Sequence, residues 1–190
     1  METSSLSTAI VKGSLSSIAK SKGITTGEAF ANAKLIVLLD TSASMSRKDA
    51  PGGQERYRAA VNQLAKLQAE HQGEVVVVSW STHAQYAPNG IPAFLGESTD
   101  LANALKFVKH ADGLFEFCVI SDGEPDDEKA ALAIASKFKS KISTIYIGPE
   151  DGAGRDFLRR LAATAKGTSG TCETQNLNLL SESVAKLLPA

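Results

Sequence analysis

Short aliphatic runs punctuate the chain: Lys34 to Leu39, Val75 to Trp80, Phe115 to Ile120 and Ile142 to Ile147, with a weaker one from Gly170 to Thr174. They are strand-length, rich in Val and Ile, and apolar without alternation, as strands buried on both faces are. Between them apolar residues return at helical spacing. Tyr57, Ala60, Val61, Leu64 and Leu67 make one face, and Leu101, Ala104, Leu105 and Val108 a second. Ala131, Ile134, Ala135 and Phe138 make a third, and Phe157, Leu158, Leu161 and Ala165 a fourth, with Gly167 placed to stop that helix. A last helix is predicted from Asn176 to Leu188, before Pro189. This alternation predicts an α/β fold, a doubly wound, mostly parallel sheet with helices on both faces. One interval breaks the rhythm. Ser81-Thr82-His83, between Trp80 and the short run Ala84 to Ala87, cannot hold a crossover helix and predicts a hairpin with one antiparallel edge strand.

At 190 residues the chain can bury a core that needs no staples. Residues 1–32 read as an N-terminal extension, in which Leu6, Ile10, Leu15 and Ile18 have loose helical spacing broken by Gly13, Gly23 and Gly27; a docked helix is expected there, and one domain over 33–190. The formal net charge is −1 with both signs interspersed, so no basic stripe offers itself to nucleic acid. No aliphatic run approaches the ~20 residues a membrane span requires. Met1-Glu2-Thr3-Ser4-Ser5 lacks the basic start and apolar stretch of a secretory leader, and a cytoplasmic location is expected. Cys118 and Cys172 fall in predicted strands two sheet spacings apart, ~9.6 Å. That exceeds the ~7 Å limit for a disulfide, so both read as reduced core thiols.

Three separated stretches, Asp40-Thr41-Ser42-Ala43-Ser44, Ser98-Thr99-Asp100-Leu101 and Ile120-Ser121-Asp122-Gly123, together read as an oxygen cage for a hard divalent cation. Asp40 and Asp122 each end an apolar run, where a parallel strand delivers a side chain to the carboxyl rim of the sheet. They become neighbours if the sheet order reverses between their strands. Two carboxylates side by side repel unless a cation or a shifted pKa compensates. Oxygen ligands without His or Cys select Mg²⁺, Mn²⁺ or Ca²⁺ over zinc. Each stretch also has an ordinary reading: Ser42 and Ser44 could organise a turn, and Thr99 or Asp100 could cap the helix starting near Leu101. Glu124, Asp126, Asp127 and Glu128 fit a helix N-terminus, with Pro125 in its first turn. Arg56, Arg58, Arg155, Arg159 and Arg160 read as solvated helix faces, and Trp80 as packing.

With these residues in place, the chain resembles a von Willebrand factor type A (vWA) domain over roughly residues 33 to 188. The family's metal-ion-dependent adhesion site, Asp-x-Ser-x-Ser, then Thr, then Asp, maps onto Asp40, Ser42, Ser44, Thr99 and Asp122. Ser98 stands where a Gly is common and Ser121 where a Thr is common; neither change removes an oxygen ligand. The resemblance implies a Rossmann-like six-stranded sheet in the order 3-2-1-4-5-6. It also implies that Ser42 and Ser44 bind the cation directly, that Thr99 switches, and that Asp40 and Asp122 act mostly through water.

The expected function is binding rather than catalysis: capture of a protein partner through an Asp or Glu that completes the cation's shell. Met45 to Gln54 and Glu124 to Asp127 would form the rim. By resemblance, the partner could belong to a multiprotein assembly, in some relatives one with an AAA-type ATPase. The alternatives are a metal-dependent phosphoester hydrolase and a structural vWA-like domain that holds no metal. Against the hydrolase stand Ser42 in place of a second acidic residue and the absence of a Gly-rich phosphate loop with its Lys. His71, His83 and His110 read as a helix end, a hairpin and an exposed turn, none an obvious base.

Overall fold

The computed structural model describes residues 9–123, 125–149 and 152–189. Six strands form one sheet: β1 (Leu35–Asp40), β2 (Val75–Trp80), β3 (Ala84–Tyr86), β4 (Glu116–Ser121), β5 (Ile142–Tyr146) and β6 (Lys166–Thr171). Their order is β3-β2-β1-β4-β5-β6, and β3 alone runs antiparallel, paired to β2 in the expected hairpin. β1 is central. Its register sets Asp40 opposite Trp80 of β2 and Leu39 opposite Ile120 of β4, so the direction of winding reverses at β1.

The period-two alternation of side chains divides the apolar residues between two cores. On one face Leu35, Val37, Leu39, Val75, Val77, Cys118 and Ile120 pack with α3 (Arg56–Glu70) and α7 (Leu180–Ala185). On the other, Ile36, Leu38, Val76, Val78, Trp80, Phe117 and Val119 pack with α4 (Leu101–Val108), α5 (Glu128–Ala135) and α6 (Gly154–Thr164). The second core also receives α1 (Leu15–Lys22) through Leu15, Ile18 and Ala19, and α2 (Thr26–Phe30) through Ala29. Ser14 caps α1, and a reciprocal Thr25–Glu28 capping box starts α2. Backbone bonds from Val11 to Asn89 and from Ser16 to Pro88 tie this segment to the turn after β3. Leu6 lies outside the described residues.

Two elements differ from the sequence expectation. The last strand is Lys166–Thr171, not Gly170 to Thr174, and Gly167 lies inside it instead of ending α6. A Cβ at Gly167 would lie 2.0 Å from the Ile142 carbonyl oxygen, so glycine permits the approach of β6 to β5. β6 is an edge strand of Lys, Gly, Thr and Ser, mostly exposed, with no apolar run for sequence reading to find. The C-terminal segment is a 3₁₀ stretch, Thr174–Leu179, followed by a short α7, in place of one helix from Asn176 to Leu188. Cys118 and Cys172 are buried free thiols, pushed up by that burial to about 12 and about 11. Among the described residues, no helix is long and apolar enough to cross a membrane.

Candidate metal centre

β1 delivers Asp40 to the carboxyl rim with its side chain wholly buried. One carboxylate oxygen, Oδ1, accepts the Ser42 N–H at 2.8 Å; the other accepts the Ser121 hydroxyl at 2.6 Å. Burial pushes the Asp40 carboxyl up to about 6; the Ser121 and Ser42 bonds oppose the rise, and the nearby charge of Asp122 adds to it. Ser42 precedes a 3₁₀ turn, Ala43–Ser46, yet its hydroxyl makes no capping bond. Its Oγ lies 3.2 Å from Ser44 Oγ, and Ser44 donates to Asp122 Oδ1 at 2.7 Å. The two serines therefore turn their oxygens toward each other and the second carboxylate, which the turn-organising reading does not require.

Asp40, Ser42, Ser44 and Asp122 are thus linked directly. Thr99 is tied in through its backbone: its N–H donates to Asp126 Oδ2 at 3.2 Å and its carbonyl accepts the Asp126 N–H at 3.0 Å, beside the loop that carries Asp122. Asp100, not Thr99, caps α4 by accepting the Asn103 N–H. Asp127 caps α5 and Pro125 precedes the helix, so of the acidic cluster Asp127 and Glu128 serve that N-terminus while Asp126 holds Thr99. Glu124 lies outside the described residues. The Gly96 N–H donates to the Thr41 carbonyl and the Ala43 N–H to that of Glu97, which closes loop 91–97 against the rim.

One residue of the centre was misassigned from the sequence. Arg56, grouped above with solvated arginines, is 1 % exposed. Its Nη1 donates to Asp122 Oδ2 at 2.6 Å, while Nε donates to Asp49 Oδ1 at 2.7 Å and Nη2 to Asp49 Oδ2. The Asp49 bonds, and more weakly Asp122, raise the guanidinium's pKa against its burial, and Arg56 holds the Asp49 carboxyl below its usual range. Arg56 opens α3, where the helix dipole mildly disfavours a cation, but that effect is too small to mark a buried anionic partner in the sequence.

Among the described residues, no group of three or more His, Cys, Asp and Glu side chains is placed to hold a metal. The candidate set is instead two carboxylates and hydroxyls. It suits a hard cation, because every donor is oxygen and the buried Asp40 carboxylate lacks a positive partner among its hydrogen bonds.

No protein-family model matches the sequence, and no curated protein is similar to it in sequence. Solved structures are similar in fold. An aerotolerance-related membrane protein from Bacteroides fragilis superposes with a TM-score of 0.62 at 16 % identity, over 81 % of this chain and 97 % of that one. A von Willebrand factor type A protein from Catenulispora acidiphila gives 0.60 at 16 % identity, over 82 % of this chain but 42 % of that one, so this chain spans less than half of it. The manganese-loaded TRAP protein of Plasmodium vivax gives 0.50 at 16 % identity, over 84 % and 74 %. Sheet order and neighbours together define the class: the chain has a vWA, Rossmann-like fold.

Proposed function

We propose that this protein is an interaction module that captures a partner's Asp or Glu side chain through a divalent cation held by Asp40, Ser42, Ser44, Thr99 and Asp122. The observation that carries the reading is the position of Ser44 Oγ, 3.2 Å from Ser42 Oγ and 2.7 Å from Asp122 Oδ1, beside the buried Asp40. The manganese in the Plasmodium neighbour supports the same chemistry for this fold. A bound Mg²⁺ or Mn²⁺ would supply an electron-poor position open to one more carboxylate. Asp40 and Asp122 contribute charge, Ser42 and Ser44 neutral oxygens, and Ser121 keeps Asp40 turned to the rim through its 2.6 Å bond. Because the serines add no negative charge, the cation keeps its attraction for an outside anion.

A pull-down from cell extract with Mg²⁺, repeated with excess EDTA and with the Asp40→Ala variant, tests the proposal. Capture of the same partner in all three samples would refute it. Hydrolysis of a phosphoester by the wild type that vanishes in Asp40→Asn would replace binding with catalysis.

A further inference from the structure

We propose that Arg56 is a built-in counter-cation of the metal centre, one that occupies Asp122 and keeps the site's own affinity for a free divalent ion low. This rests on the cation-binding reading above and concerns how that site is regulated. Both Asp122 oxygens are engaged, Oδ1 by the Ser44 hydroxyl and Oδ2 by Arg56 Nη1 at 2.6 Å. The pair is shielded from water, with side-chain exposures of 2 % for Arg56 and 0 % for Asp122, so solvent screens it little. Nor can the guanidinium swing away readily, because Asp49 grips it by two further bonds in a fork that only arginine fits. Among the described residues, Asp40 has no cationic hydrogen-bond partner: its oxygens accept from the Ser121 hydroxyl, the Ser42 N–H and, more weakly, the Ser42 side chain, all neutral.

The centre is therefore asymmetric, with one carboxylate neutralised by the chain itself and one left to attract a metal. An entering cation must share Asp122 with Arg56 and meets its repulsion. A partner's carboxylate restores the missing negative charge, so ion and partner bind together more tightly than either alone. Arg56 acts here as a positioning residue and a rival cation, not a ligand.

Manganese titration by calorimetry, with melting in Mn²⁺ and in EDTA, on the wild type, Arg56→Met and the double variant Arg56→Met/Asp49→Asn tests this. The double variant removes one charge of each sign, so net charge is conserved and no carboxylate loses its partner except Asp122. Both variants are expected to bind Mn²⁺ at least tenfold more tightly than wild type, and to gain more in melting temperature from the ion. Wild type that binds no ion beside variants that do would uphold Arg56 as the blocking cation and defeat the reading that this chain takes a metal. Affinity equal to or weaker than wild type in both variants overturns the role of Arg56 and leaves the metal reading standing. Tightening in Arg56→Met alone would reduce the effect to net charge and also overturns the proposal. Absence of binding in all three proteins defeats both.

Discussion

Ser44 donates its hydroxyl to Asp122 at 2.7 Å, joining the loop after β1 to the loop after β4 across 78 positions of chain. That bond closes the candidate metal centre and aims a carboxylate oxygen of Asp122 at the serine pair. Ser44→Ala leaves that oxygen without its donor, a loss of about 1.5–3 kcal/mol for a hydrogen bond to a charged acceptor. Urea denaturation monitored by circular dichroism should show the midpoint falling with an unchanged slope, and Mn²⁺ titration should show weaker binding.

Asp40→Asn should separate stability from function. The native carboxyl sits at about 6, above the ~3.9 of an unfolded chain, so its contribution is fully present below about pH 4 and is lost as pH rises through 6. At pH 7 the wild type carries a buried anion, and the amide relieves it. The metal-free variant should therefore melt at or above the wild-type temperature while its calorimetric response to Mn²⁺ disappears. A variant that melts well below wild type in EDTA would contradict the burial argument.

Gly154 tests whether the centre can be damaged from a distance. It opens α6 against the backbone of Gly123, where an added Cβ would lie 2.6 Å from the Gly123 carbonyl carbon. Gly123 follows Asp122 directly. Gly154→Ala must push that loop aside, at a cost of about 1–3 kcal/mol for overpacking. Thermal melting should drop, and Mn²⁺ affinity should fall although no ligand has changed.

Acid stability should report on Asp112, far from the rim. Burial favours its neutral form, but Lys109 at 2.6 Å and the N–H groups of Ser140 and Lys139 at 2.9 Å outweigh it and hold the carboxyl at about 2. A lowered native pKa gives stability that is present above about pH 4 and lost as pH falls from there toward 2. Asp112→Asn should be about 1–2 kcal/mol less stable than wild type at pH 7, after allowance for solvent screening. Denaturation midpoints measured from pH 7 to pH 2 should show the gap closing.

Elements whose residues bury a strong periodic pattern were legible from the sequence. The runs ending at Leu39, Trp80, Ile120 and Ile147 became β1, β2, β4 and β5 because strands buried on both faces admit almost only Val, Ile and their like. The antiparallel β3 was legible from chain length alone, since three residues cannot hold a crossover. β6 was not, because an edge strand of Ser, Thr and Gly buries too little to leave an apolar signature. The C-terminal helix was overextended because apolar spacing continues through Leu177, which is buried from within a 3₁₀ turn.

The same division runs through the centre. Asp40, Ser42, Ser44, Thr99 and Asp122 could be nominated as candidates from residue type and position; the fold links Asp40, Ser42, Ser44 and Asp122 by hydrogen bonds and ties Thr99 to the neighbouring loop through its backbone. Arg56 could not be nominated that way. Its role depends on the angle at which α3 crosses the sheet, on the loop that brings Asp49 alongside, and on the exclusion of water from the pair with Asp122. Local sequence specifies which groups can carry charge or donate oxygen. Which charges end up within bonding distance in a dry environment is set by long-range packing, and only the folded chain holds that information.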